Sequence, residues 1–196
     1  MMEIKITGVE SILDALAKFP KELASAARNA ENATATFARA EGFELAAQEF
    51  NIEKRRLKKD SRGRDTSWIK RSSITDPGAV VTFKGGDNPK SGDRPGLQHY
   101  SIDPSQTNKK IKGWAPTVKI RRGGQSEKVE RGFYGVGKLK GRGIFQRLEV
   151  GRKIKRRNVL GLKQMLIQEK QLSELVKGGE NILNKELEKA LDNVRG

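Results

Sequence analysis

The longest regular pattern in the chain is an alanine-rich stretch over residues 20–50, which predicts one long helix. Alanine is the best helix former, and Pro20 suits a first helical turn, where its missing N–H costs nothing. Positions three and four residues apart share a helix face. Because alanine buries little area, we expect this face to pack on something large, a sheet or a neighbouring subunit. The face would consist of Ala26, Ala30, Ala33, Phe37, Ala40, Phe43, Ala47 and Phe50.

Shorter elements are predicted on both sides of this helix. Polar and apolar residues alternate over residues 2–7, which indicates a half-buried strand, and apolar residues over 9–19 have helical spacing. Alternation and β-branched or aromatic residues predict six more strands. They lie at residues 66–73, 79–84, 97–102, 114–121, 131–136 and 143–150, and the first two would be joined by a turn around Asp76, Pro77 and Gly78.

Apolar residues at helical spacing from Leu172 to Val194 predict helix at the end of the chain. Gly178 and Gly179 interrupt this pattern, so we expect a kink or two helices. Strands that follow helices favour an α+β fold. We therefore predict a single domain over residues 1–196. An N-terminal strand, a short helix and the long Ala-rich helix would pack on a largely antiparallel sheet with long loops, followed by a C-terminal helix.

The composition indicates an anionic partner. The chain carries a formal net charge of +16 with a pI near 10.2, while hydrophobic residues make up 35% and aromatic residues 6% of its 196 residues. Such a chain buries a modest core and attracts nucleic acid, an acidic protein surface or lipid headgroups. Charge alone does not distinguish among these three.

Two basic clusters and one long loop are the candidate contact sites. We define the first cluster as Lys54, Arg55, Arg56, Lys58 and Lys59. The second cluster, within a basic segment of residues 147–157, is Lys153, Lys155, Arg156 and Arg157. Each cluster is either a solvated face or a surface for a partner or DNA. Neither has interleaved aromatic residues, so any contact with nucleic acid would be nonspecific and to phosphate. The Gly/Pro/Asp-rich loop of residues 85–96 is typical of a functional or disordered segment.

The sequence contains few residues or motifs that are typical of catalytic sites. His99 is the single histidine, there is no cysteine, and motifs for nucleophilic hydrolases, zinc peptidases and phosphate loops are missing from the sequence. The glycine-rich stretch 135–141 has neither phosphate-loop nor dinucleotide spacing. We therefore predict no enzymatic activity, no metal and no cofactor. The start of the chain lacks a signal peptide and no run approaches the roughly 20 apolar residues of a membrane span. We therefore expect the protein to be made and kept in the cytoplasm unless it leaves as part of a larger particle, and we predict no membrane partner.

Several segments in a fixed order resemble the prophage minor tail protein Z family of long-tailed phages. The opening MEIKITGVESILDALAKFP is followed by the alanine-rich helix and the basic NIEKRRLKK, then by a strand-rich middle that ends in GIFQR and a basic segment, and finally by VLGLKQMLIQEKQLSELV. Family members commonly have Gly-Pro-Ser in that last segment, whereas this chain has Gly161, Leu162 and Lys163. The resemblance covers most of the chain and is carried by the order of the segments.

The resemblance implies a virion structural protein that completes the phage tail at its head-proximal end and allows the tail to join the head. It implies tail-tube or neck proteins as partners, a homo-oligomeric ring when assembled, and possible nonspecific contact with DNA in the lumen. The protein would be found in the virion tail, and in the host cytoplasm during assembly. The alternative from the residues alone is a nonspecific basic nucleic-acid-binding protein, which would bind DNA as a monomer with a steep dependence on salt.

Overall fold

The computed structural model describes residues 2–5, 21–60, 63–73, 75–85, 95, 97–103, 115–134, 144–147, 154–156 and 160–195. Its helices are α1 (Lys21–Glu49), α2 (Lys54–Leu57), α3 (Leu162–Leu166) and α4 (Glu169–Arg195), with a 3₁₀ turn at Leu97–His99. Its strands are β1 (Met2–Lys5), β2 (Ser67–Lys70), β3 (Val80–Phe83), β4 (Ser101–Asp103), β5 (Thr117–Lys119), β6 (Glu127–Lys128), β7 (Gly132–Tyr134), β8 (Ile144–Arg147) and β9 (Ile154–Arg156). The predicted α+β class, with an N-terminal strand and a C-terminal helix, is confirmed. The helix predicted over residues 9–19 lies outside the described residues.

The described strands form three small antiparallel sheets, with the orders β1-β3-β2, β4-β5-β6 and β7-β8-β9. In the first sheet, Ile4 and Ile69 both pair with Val81 of the central strand. Within the described residues, each predicted strand segment contains a strand, except that the start of the 97–102 prediction is wrong because Leu97–His99 is a 3₁₀ turn and β4 begins at Ser101. The sequence pattern also missed β6, β9 and α3, since β6 and β9 are short and mostly charged.

The chain packs as two compact units. Unit 1 comprises Met1–Leu45, Ser67–Lys84 and Leu166–Gly196, and unit 2 comprises Ala46–Thr66 and Gly85–Met165. Each unit is built from stretches that are separated in the sequence, and such a division does not show how many parts of the chain fold independently. The prediction of one domain over residues 1–196 therefore stays a prediction.

In unit 1, the buried face of α1 differs from the predicted one. Ala40, at the centre of the predicted face, is exposed, and Ala33 and Phe37 are half-buried. Alanines occur on several sides of this helix, so composition did not single out the buried side. The buried positions of α1 in this unit are Ala27, Ala30, Glu31, Thr34, Ala35, Ala38, Gly42, Phe43 and Leu45.

Glycines allow close packing around α1. Helix α4 is continuous through Gly178 and Gly179, so the expected kink or division is wrong. A Cβ atom at Gly178 would lie 2.9 Å from a ring carbon of Phe37. In the same way, a Cβ at Gly42 would lie 2.7 Å from the ring of Phe83, which is fully buried in the central strand β3. These glycines are present where neighbouring elements approach the helix backbone, and this contact offsets the lower helix propensity of glycine.

Polar side chains of α1 hold the connection between β2 and β3. Asn32 pairs with the backbone of Ser72 twice: its Nδ2 donates to the carbonyl at 3.2 Å and its Oδ1 accepts from the N–H at 2.9 Å. The buried Glu31 accepts a hydrogen bond at 3.1 Å from the N–H of Gly78, whose φ of 93° suits the predicted turn. These contacts satisfy buried polar groups that would otherwise destabilise the unit.

Candidate functional site

The first basic cluster begins where α1 ends, in unit 2. Helix α1 has no basic residue in its own last turn, and Arg122 supplies one from a distant loop. Its Nε donates to the carbonyl of Ala47 and its backbone N–H to that of Glu49, both at 3.0 Å. A cation at this end of a helix stabilises the unpaired carbonyls and the helix dipole. Arg122 therefore fixes the point at which the chain leaves α1.

The next residues are held by backbone pairing. The N–H of Asn51 donates to the carbonyl of Ile120 at 2.7 Å, and Phe50 forms a β-bridge with Arg121. Ile52, which is buried, bridges to Tyr100. Two aromatic residues and one isoleucine thus anchor the backbone directly before the cluster, so the cluster starts from a fixed position.

Helix α2 is a single turn that presents the first basic cluster. Leu57 is its buried residue, and Thr66 closes the turn: its hydroxyl donates to the carbonyl of Leu57 and its N–H to that of Lys58 at 3.1 Å. With Leu57 buried, the charged side chains of this turn lie at the surface. Lys54 is half-buried, and Arg55, Arg56, Lys58 and Lys59 are exposed.

Carboxylates within the same segment pair with most of these cations. Arg55 Nε lies 2.5 Å from Glu53 Oε2, Arg56 Nε lies 3.9 Å from the same oxygen, and Lys59 Nζ lies 2.8 Å from Asp65 Oδ1. The hydrogen bond from Arg55 lowers the pKa of Glu53 below its ordinary value of 4.5. Exposed ion pairs contribute roughly 0–1 kcal/mol each. These cations can therefore exchange an internal carboxylate for one on a partner at little cost.

The segment remains cationic after this pairing. Residues 53–60 and 63–65 contain six basic and three acidic side chains, a net charge of +3. Lys58 is exposed and makes no ion pair with any residue in the described part of the chain. The surface thus has a cationic centre with carboxylates on both sides, which suits a partner that presents acidic groups at defined positions.

A tight turn fixes the far side of the cluster. The side chain of Asp60 is 0% exposed, and it accepts hydrogen bonds from the N–H of Arg64 at 3.0 Å and from Arg64 Nε at 2.8 Å. Gly63 has a φ of 77° and donates to the Asp60 carbonyl at 3.0 Å. Charge-assisted hydrogen bonds at a buried carboxylate hold this turn in one conformation.

The second basic cluster is described only in part. Lys155 and Arg156 lie on β9, an edge strand in which Arg156 pairs with Phe145 of β8. Lys153 and Arg157 lie outside the described residues. The described residues of both clusters belong to unit 2, as do Gly85 and Pro95 of the predicted loop and Arg147 of the basic segment. Of that loop the structure describes Gly85 and Pro95 alone; a Cβ at Gly85 would lie 2.5 Å from the backbone nitrogen of Lys163 in α3.

His99, the one candidate for acid–base chemistry, ends the 3₁₀ turn and is half-buried. Its positive charge contributes to the lowered pKa of Glu53. Over the described ranges, no three acidic or histidine side chains are grouped so that they could hold a metal ion. No helix in the same ranges has the length and hydropathy of a membrane span. The glycine-rich stretch 135–141 lies outside these ranges.

Several residues of this site were missed by the sequence pattern. Asp65, Arg121 and Arg122 act through contacts with residues that are either far away in the chain or across a turn, and no local spacing indicates them. Asp60 had a local signal, since an aspartate three residues before a glycine is typical of a turn. No protein-family model, curated protein or solved structure matches this chain.

Proposed function

We propose that this chain is a virion structural protein that completes a phage tail at its head-proximal end and allows the tail to join the head. The observation that carries the proposal is the order of its segments, which resembles that of the minor tail protein Z family. A strand, a long alanine-rich helix, a basic turn, short antiparallel strands and a C-terminal helix follow each other in that order. In this role the chain forms a homo-oligomeric ring in the virion tail, after assembly in the host cytoplasm.

The first basic cluster is the surface that we assign to the tail-tube or neck partner. Four of its five cations are exposed and Lys54 is half-buried. The ion pairs of Arg55, Arg56 and Lys59 cost little to exchange. Its backbone is fixed on one side by Arg122 and on the other by the Asp60 turn. A rigid cationic surface flanked by carboxylates favours a protein partner of defined charge pattern, with nonspecific DNA contact in the lumen as a secondary role.

Charge reversal tests this assignment. In a phage that lacks its own copy of the gene, the chain with Arg55→Glu and Arg56→Glu should give tails that fail to join heads, because three adjacent carboxylates would repel an acidic partner. The matched control is Arg71→Glu with Lys128→Glu, which makes the same change in net charge at two exposed residues outside both clusters. Normal joining of heads and tails with Arg55→Glu and Arg56→Glu would contradict the assignment of the first basic cluster to a tail partner.

The net charge of +16 favours a second candidate, a nonspecific nucleic-acid-binding protein. This candidate predicts that the isolated chain binds duplex DNA of arbitrary sequence, with an affinity that falls steeply between about 50 and 200 mM salt. The tail-completion proposal predicts weak binding or none by the isolated chain. A salt titration of DNA binding by the wild-type protein separates the two functions.

A further inference from the structure

Helix α4 has a second apolar face beside the one that packs on α1. The packed face contains Leu175, which is buried, and Gly178, which lies against Phe37. The second face, which we call the α4 stripe, contains residues at steps of four, seven and four, so they lie on one side of the helix. Its members are Leu172, Val176, Leu183 and Leu187. Leu172 is 37% and Val176 is 43% exposed, and the two remaining leucines are half-buried.

The α4 stripe lies on an element that is almost neutral in a strongly basic chain. Helix α4 has six acidic and five basic side chains, a net charge of −1, whereas the whole chain carries +16. An acidic partner would gain little Coulomb attraction at this helix compared with the basic clusters. Two copies of the chain, in contrast, meet with little local repulsion here. The charge distribution therefore favours another copy as the occupant of the stripe.

The spacing of the stripe fits a second copy of the same helix. A two-fold axis between residues 179 and 180 would place Leu172 opposite Leu187 of the other copy, and Val176 opposite Leu183 of the other copy. Such a self-complementary patch is what a two-fold interface requires.

We propose that the α4 stripe is a self-association surface, on which α4 of a second copy packs in the antiparallel direction. This inference goes beyond the proposed function, because a two-fold contact joins two chains and is distinct from the head-to-tail contact that closes a ring. The proposal depends on α4 alone, so it applies equally to a protein with another role, and its failure would leave the assignment of the first basic cluster in place.

Salt should strengthen this association. The remaining parts of two chains of net charge +16 repel each other, and salt screens that repulsion over about 8 Å at 0.15 M ionic strength. Contact through an apolar stripe is not weakened by screening. Nucleic-acid binding has the opposite dependence on salt, so the sign of the salt effect separates the two kinds of contact.

The test is the mass of the full chain in solution, measured by light scattering over a range of concentrations. We expect the wild type to approach twice its chain mass of 21.8 kDa, with a lower dimer Kd at higher salt. Val176→Glu should raise the dimer Kd at least about tenfold, since it places an unpaired charge in the contact. The control is Asn181→Glu, which adds the same charge at an exposed position on the other side of α4. A wild type of 21.8 kDa at every concentration, or equal effects of the two substitutions, would overturn the proposal.

The direction of packing has a separate test, because the chain has no cysteine of its own. Under mild oxidation, a mixture of Leu172→Cys and Leu187→Cys chains should form mixed disulfides. Leu172→Cys alone should not, because its Cα atoms would lie roughly 22 Å apart along the helices, beyond the roughly 7 Å limit of a disulfide. Cross-linking of Leu172→Cys with itself, and no mixed product, would contradict the antiparallel arrangement.

Discussion

In unit 1, α4 and β3 approach α1 at positions that have no side chain, whereas in unit 2 charged side chains hold the end of α1 and the turn after α2. Gly178 allows α4 to approach Phe37, and Gly42 allows the Phe83 ring to reach α1. Unit 2 uses Arg122 to hold the end of α1 and Asp60 to hold the turn after α2. Unit 1 also has polar contacts, at Asn32 and Glu31, and unit 2 also has a close glycine, Gly85, so the comparison concerns the two glycines and the two charged residues just named.

This difference explains why the two surfaces that we propose have different character. Close packing in unit 1 uses one face of α4 and leaves an apolar stripe beside it, which suits association through burial of apolar area. In unit 2, the contacts of Arg122 and Asp60 hold the backbone of a turn whose cations are exposed, which suits recognition of an acidic partner.

The largest effect is expected at the contact between α4 and α1. Gly178→Val adds a side chain where a Cβ atom would already lie 2.9 Å from Phe37, so α4 must shift. Overpacking of this kind costs about 1–3 kcal/mol, less about 0.5 kcal/mol for removing a helical glycine. Urea unfolding should therefore give a free energy of unfolding that is lower by about 0.5–2.5 kcal/mol.

The matched control for this substitution is Gly123→Val in unit 2, where an added Cβ would have no neighbour within 4 Å. Its effect should stay within about 0.5 kcal/mol. If Gly178→Val and Gly123→Val lowered the free energy of unfolding equally, close approach at Gly178 would not define the packing of unit 1.

A smaller loss of stability is expected when the contact of Arg122 with the end of α1 is removed. Arg122→Met removes the hydrogen bond to the Ala47 carbonyl and the positive charge at the end of α1, and it keeps the apolar part of the side chain. The loss should be about 1 kcal/mol in the free energy of unfolding, since Arg122 is exposed and its charge is partly screened. Lys128→Met removes an exposed charge from β6 of the same unit and should change stability by less than about 0.5 kcal/mol. Equal losses for Arg122→Met and Lys128→Met would show that the contact of Arg122 with α1 contributes no more to stability than an ordinary exposed charge.

The smallest effect concerns the pH dependence of the first basic cluster. The hydrogen bond from Arg55 lowers the pKa of Glu53, so the folded chain holds this carboxylate ionised to a lower pH than the unfolded chain does. The stabilising contribution is present above the ordinary pKa of 4.5 and is lost as pH falls through the lowered value. Glu53 is exposed, so the contribution to stability is small and the pair is best followed by carboxyl NMR of that residue.

In that titration, Arg55→Gln should move the Glu53 midpoint back towards its ordinary value. Arg56→Gln should move it less, because Arg56 Nε lies 3.9 Å from the Glu53 oxygen and Arg55 Nε lies at 2.5 Å. Equal shifts for the two variants would mean that the general positive field, and not the Arg55 hydrogen bond, lowers the pKa of Glu53.

The parts of the fold that could be predicted are those with a strong local period. The apolar run Val80–Phe83 and the alternation that begins at Met2 both became strands of one sheet. The alanine-rich run became α1 with nearly the predicted bounds. The buried side of α1 could not be predicted, because it contains Thr34, whose hydroxyl donates to the Ala30 carbonyl at 2.8 Å and so can be buried.

Other features depend on contacts that no local pattern contains. A glycine pair inside a helix either breaks the helix or allows a neighbour to approach, and the choice at Gly178 depends on Phe37, far away in the sequence. The cations of the first basic cluster were visible in the sequence, whereas the role of Arg122 in positioning them required the fold. Strand β9 was hidden because lysine and arginine surround its single isoleucine.

The central claim is that this chain acts as an assembled subunit that recognises a tail partner through its basic surface. The most direct test is the mass of the wild-type chain measured by light scattering, alone and mixed with the tail-tube protein of the same phage. We expect the chain alone to remain small, no more than a dimer, and to form a discrete ring-sized complex with the tube. A chain whose mass is unchanged by the tube, and which instead binds DNA in a salt-dependent manner, would contradict the claim and favour the nucleic-acid-binding function.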